Sequence, residues 1–198
     1  MLCVPTSLRL TAPALFVMAA ISLVAGPARA GERIPRVGET AKDFQLSSVL
    51  GTPTRLSDKL AAGPVVLVVL RGYPGYQCPA CHKQVQELIQ SAGKLDSAQA
   101  QVLLVYPGPS KGLADKAREF QGRGEIPKHF TLLLDPDYAF TTAYGLRWDE
   151  PGETAYPSTF VLQPKTGEIV FAKIAKEHGG RARTSDVLEA LKPLARTR

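Results

Sequence analysis

Cys78 and Cys81 stand three residues apart in "RGYPGYQCPACHKQ", Arg71 to Gln84, and His82 follows directly. A disulfide between them would close too small a loop to act as a strong staple, because that stabilisation grows with loop length. The pair is better explained by chemistry. Three chemistries fit these residue types. The two thiols can cycle between dithiol and disulfide; C-x-x-C-H can hold a haem through thioethers with His82 on the iron; and, read with Pro74, the segment can be a peroxide-reducing pocket. Against haem, Met1 and Met18 both fall in the leader, so only His129 and His178 remain as opposite ligands. A covalently fixed haem would also displace the packing of Val85 and Leu88. Zinc needs four ligands, and one Cys pair with scattered histidines does not supply them.

The elements that must position the pair are legible as patterns. "GPVVLVVLRG", Gly63 to Gly72, is a continuous β-branched and leucine run, which predicts a central strand covered on both faces. From Pro79 onward Val85, Leu88, Ile89, Ala92 and Leu95 recur at helical spacing. The cysteines therefore fall in a helix's first turn, where unpaired backbone N–H groups and the helix dipole favour thiolate. Pro79 suits the first helical position.

Around this unit, "AKDFQLSSVLGTPTRLSDKL" predicts an irregular hairpin near Phe44 and Thr54. "AQVLLVYP" predicts a second buried strand, "SKGLADKAREFQ" a helix, "HFTLLLD" a third strand and "PDYAFTTAYGL" a short helix. "STFVLQ" and "GEIVFAKI" flank "PKTG" as an antiparallel hairpin. A last helix is expected from Asp186, with Glu189 completing a capping box. Strand, helix, strand, helix order argues for a βαβ unit in an α/β domain.

The order of strand, C-P-x-C helix, βαβ unit and late "YPSTFVL" hairpin resembles the thioredoxin fold, a mixed central sheet flanked by helices, over Val37 to Leu194. That resemblance implies that Pro157 matches the proline, usually cis, that packs beside the dithiol. Within the fold, "VVLVVLRGYPGYQCPAC", "LLLDPDYAFTTAYGL" and "STFVLQPKTGEIV" resemble the peroxiredoxin-like AhpC/TSA, or redoxin, family. Its signature P-x-x-x-T/S-x-x-C, counted from Pro74, puts Cys81 in the peroxidatic position and Cys78 in the Thr/Ser position.

Two sets of roles follow from the resemblance. In a thioredoxin-type exchange Cys78 attacks a substrate disulfide and Cys81 resolves. In a peroxidase Cys81 attacks the peroxide, becomes a sulfenic acid and condenses with Cys78. The family's arginine, three residues before the late-strand phenylalanine, is absent, because Pro157 stands three before Phe160. Arg71 and Arg181 are the candidate substitutes, each weighed against being a plain surface cation. The strand before the dithiol carries no carboxylate to serve as a base, and Tyr73 and Tyr76 either line the pocket or pack the loop.

"MLCVPTSLRLTAPALFVMAAISLVAGPARA" has a basic start, a short apolar run and Ala28-Arg29-Ala30, the layout of a cleaved secretory signal. Its apolar stretch is shorter than the roughly 20 residues that span hydrocarbon, so no permanent membrane insertion is expected. The organisation read from the sequence is a signal peptide over 1–30, a lead over 31–37 and one redoxin domain over 38–198. The expected location is periplasmic or secreted. Losing Arg9 and Arg29 takes the net charge from +6 to +4, with both signs interspersed, which is no nucleic-acid footprint. The sequence thus predicts an exported thiol antioxidant without cofactor. It would reduce small hydroperoxides, with protein disulfides as the alternative substrate, and draw electrons from a thioredoxin-like thiol protein.

Overall fold

The computed structural model describes Met1, residues 33–122 and residues 124–195, so the signal expected over 1–30 lies outside the described residues save for Met1. In chain order the elements are β1 (Gln45–Ser47), β2 (Pro53–Arg55), α1 (Leu56–Ala62), β3 (Val65–Val69), α2 (Pro79–Gln90), α3 (Ala92–Ser97) and β4 (Gln101–Gly108). They continue with α4 (Leu113–Gln121), β5 (Phe130–Pro136), α5 (Ala139–Ala143), β6 (Ser158–Leu162), β7 (Ile169–Ile174) and α6 (Thr184–Ala195).

β3 is the middle of a five-stranded sheet ordered β5-β4-β3-β6-β7, parallel to β4 and antiparallel to β6. Its continuous apolar run is needed because both faces are covered. Val66, Val68 and Leu70 pack with Val85 and Leu88 of α2, Phe120 of α4 and Leu191 of α6. Val65, Leu67 and Val69 pack on the other face with Leu56 and Leu60 of α1 and Phe140 of α5. At about 1.5–3 kcal/mol for each fully buried Val or Leu, this strand anchors both layers. β1 and β2 form the expected small antiparallel hairpin. Among the described residues no helix is long and apolar enough to cross a membrane.

Two local expectations are corrected. The helical periodicity from Val85 to Leu95 is split at Ser91, which caps the end of α2 and opens α3; buried Leu95 keeps the stripe although the axis breaks. The last helix, expected near Asp186, starts at Thr184, and the Asp186 amide donates to the Arg183 carbonyl in place of the expected Glu189 capping contact. Asp186 pairs with Arg183, and Glu189 pairs with Lys192 one turn further on, so each carboxylate finds a cation before the backbone.

After β3 the chain turns sharply at Gly72, whose φ is +70° and whose absent Cβ would sit 1.9 Å from the Pro107 carbonyl oxygen. Only glycine allows this approach. It lets the Tyr73 amide donate to Pro107 at 3.1 Å, which holds the Tyr73–Gln77 turn against β4 and delivers Cys78 to the start of α2.

Candidate active site

Cys78 occupies the N-cap of α2 in extended geometry, with Pro79 in the first turn as the sequence predicts. Its Sγ accepts the Cys81 amide at 3.3 Å. Both cysteines are free thiols and both are buried, Cys78 at 3% exposure and Cys81 at 1%. Arg181, from the loop between β7 and α6, places Nη2 3.6 Å from Cys78 Sγ and 3.5 Å from Cys81 Sγ.

These contacts divide the two sulfurs electrostatically. The Cys81 thiol donates to Cys78, and together with the Cys81 amide and the Arg181 charge this overcomes burial and brings the Cys78 pKa down to about 6. For Cys81 the same hydrogen bond acts in reverse, since a proton shared with the neighbouring thiolate is held in place. Burial adds to it, and the Cys81 pKa is raised. These contacts favour a thiolate at Cys78 and a thiol at Cys81.

Arg71 is not a surface cation. It is buried at 4% exposure, where Nε and Nη2 donate to the two Glu153 carboxylate oxygens, the latter at 2.9 Å. Nη1 donates to the Tyr76 hydroxyl, so Tyr76 braces the active-site turn while half its surface stays exposed. Tyr73 lies under the Lys116 ammonium. Arg181, set beside Arg71 as a candidate, brings its guanidinium to both sulfurs, while Arg71 meets Cys81 through its backbone amide.

Pro157 is buried and enters β6 next to Ser158, which pairs with Val69 at the dithiol end of β3. Its peptide bond is trans, not the expected cis form, and its carbonyl accepts the Ala175 amide at 2.8 Å. Pro74 sits half-buried in the turn before Cys78 and brings no N–H donor. His82 lies with Nδ1 3.2 Å from the Cys78 carbonyl and Nε2 3.1 Å from the Phe120 carbonyl, its ring packed on Phe120. His82 is thus packed as an ordinary helix residue, both ring nitrogens facing carbonyl oxygens. Gln77 completes the frame, accepting from the Tyr106 hydroxyl at 2.8 Å and donating to the Lys116 carbonyl at 2.9 Å.

Glu153 and His178 belong to the same neighbourhood; the sequence did not single out Glu153, and it offered His178 only as a possible haem ligand. His178 Nε2 lies 2.7 Å from Glu153 Oε1. Nothing in "EPGET" or "KEHGG" marks them, because their partners are Arg71 and each other across long sequence separations.

A family model described as the AhpC/TSA family matches residues 37–172. The chain is 45% identical over 163 residues to "Putative peroxiredoxin MT1643" of Mycobacterium tuberculosis (strain CDC 1551 / Oshkosh), covering 80% of this chain and 97% of that protein. The crystal structure of Peroxidoxin BcpB from Mycobacterium tuberculosis superposes with a TM-score of 0.63 at 24% identity, over 80% of this chain and 97% of the other. A "putative Thiol:disulfide interchange protein DsbE" from Chlorobium tepidum gives 0.57 at 23% identity, over 79% and 98%. These two structures share the thioredoxin-like fold. By its matched residues, its fold and its helix-capping dithiol, the chain belongs to the AhpC/TSA family and is a thiol-dependent oxidoreductase.

Proposed function

We propose that the protein is an exported peroxiredoxin-like antioxidant that reduces hydroperoxides through a Cys78/Cys81 dithiol–disulfide cycle, with Cys78 as the attacking sulfur. The observation that carries the reading is Arg181, whose one guanidinium donates toward both sulfurs. It favours the Cys78 thiolate and stands where a peroxide oxygen gains negative charge as the O–O bond breaks, an electrostatic contribution of the kind that dominates catalysis. This order reverses the one implied by the family signature, which puts the peroxidatic sulfur at Cys81.

In the first step the Cys78 thiolate bonds the distal peroxide oxygen, the O–O bond breaks, and the departing alkoxide or hydroxide takes a proton from water. Cys78 becomes a sulfenic acid. The Cys81 sulfur then attacks the Cys78 sulfur; its thiol proton and the displaced hydroxide leave as water, and the disulfide forms. A thioredoxin-like dithiol restores the pair by exchange, becoming oxidised itself. A leading cysteine with a lowered pKa also suits disulfide exchange, so reduction of exported protein disulfides is the second reading.

A thioredoxin-coupled assay tests this. The native protein is expected to consume hydrogen peroxide or an organic hydroperoxide, and Cys78→Ser to consume none. No consumption by the native protein, alongside reduction of insulin disulfides, replaces the first reading by the second. Support for export is the leader pattern of residues 1–30. N-terminal sequencing of the protein from fractionated cells is expected to begin at Gly31, and a start at Met1 contradicts export.

A further inference from the structure

Arg181 sits on a loop that must be tied down from outside if its guanidinium is to stay at the sulfurs. The segment between β7 and α6 carries Gly179 and Gly180, both exposed, with Gly180 at φ +69°, a conformation open to glycine at little cost but not self-fixing. What fixes it is a chain of contacts leading back to the central sheet. Arg181 Nη1 donates to the His178 carbonyl. The His178 ring meets Glu153 Oε1 at 2.7 Å and packs against Trp148, ring centroids 5.5 Å apart. Glu153 is held from behind by the buried guanidinium of Arg71, two residues beyond the end of β3, and the neighbouring Thr154 hydroxyl donates to the Arg71 carbonyl.

We propose that Glu153 and His178 are positioning residues that lock the Arg181 loop onto the dithiol, Glu153 fixing His178 from the protein interior and His178 fixing Arg181. Neither hydrogen-bonds a sulfur among the described residues; both act through Arg181. The inference rests on the reading of Cys78 as the reactive thiolate, so its test uses a reaction that needs no peroxide.

The experiment is the pH profile of Cys78 alkylation by iodoacetamide in the full chain, located by peptide mass. Besides Arg181, the groups bearing on Cys78 are Cys81 and Arg71, and none of these is altered by substituting His178. His178 has an exposed side chain, so His178→Ala is expected to fold, which circular dichroism checks. It should move the profile to higher pH and slow alkylation near the native midpoint by about three- to tenfold. His178→Gln, which keeps an N–H donor for Glu153, should recover most of the native rate. Arg181→Met should slow it at least as much, and adding His178→Ala to Arg181→Met should change nothing more, since the two act as one unit. An unmoved His178→Ala profile, no recovery with glutamine, or additive effects in the double variant each overturn the proposal. If these outcomes hold while the native protein consumes no peroxide, the positioning stands and only the assigned substrate falls.

Discussion

Replacing Cys81 by alanine removes the thiol that donates to Cys78 and leaves the Cys81 amide and Arg181 in place. A hydrogen bond to a charged group contributes about 1.5–3 kcal/mol, which corresponds to about 1–2 pH units of a titration midpoint. The Cys78 midpoint should rise from about 6 to roughly 7–8, still below the ordinary thiol value of about 8.5. At pH 6 the thiolate fraction then falls about five- to fiftyfold. The assay is the second-order rate of alkylation against pH, with the modified peptide identified by mass spectrometry. In the native protein the adduct should form on Cys78, in proportion to the thiolate. A midpoint that does not move in Cys81→Ala, or native alkylation that begins at Cys81, refutes the division of charge between the two sulfurs.

Three other outcomes follow from the same contacts. Arg181→Met keeps the aliphatic stem but removes the donors to both sulfurs, and should lower the stopped-flow peroxide rate about ten- to hundredfold; a rate within a factor of two contradicts the role. Arg71→Met leaves the half-buried Glu153 carboxylate with only His178 and should cost about 1.5–3 kcal/mol of stability in urea unfolding, against about 2–5 kcal/mol for Leu88→Ala in the core between α2 and the sheet. Burial works against the Glu153 charge, but Arg71 and His178 outweigh it and hold its pKa below the ordinary carboxylate value. Because the folded pKa is the lower one, this stabilisation is present above about pH 4.5 and is lost as pH falls through the folded value. Urea midpoints from pH 6 to pH 3 should therefore fall more steeply for the native protein than for Glu153→Gln.

What the sequence made legible was what depends on local periodicity. The unbroken Val65–Leu70 run needs apolar cover on both faces, and the two buried layers supply it. Pro79 and the apolar stripe behind it fix the start of α2, so the dithiol at its N-terminus follows from neighbouring residues alone. The split at Ser91 was hidden because Leu95 keeps the same stripe across the break. The electrostatic surround was hidden for a different reason: Arg71 meets Glu153 across 82 positions, and Arg181 meets Cys81 across 100. A cation in a glycine-containing loop reads as solvated until tertiary structure shows its partners. Pro157 stands where the family's arginine is expected along the chain, yet the charge arrives from the loop after β7 instead.

The central claim is that Cys78, flanked by Arg181 and a protonated Cys81, is the sulfur that takes the peroxide oxygen. The most direct measurement mixes reduced Cys81→Ser with one equivalent of hydroperoxide in the presence of dimedone and locates the adduct by peptide mass. A dimedone adduct on Cys78, with none formed in Cys78→Ser, is the expected result. An adduct on Cys81 in Cys78→Ser, or no sulfenic acid in either variant, would contradict it.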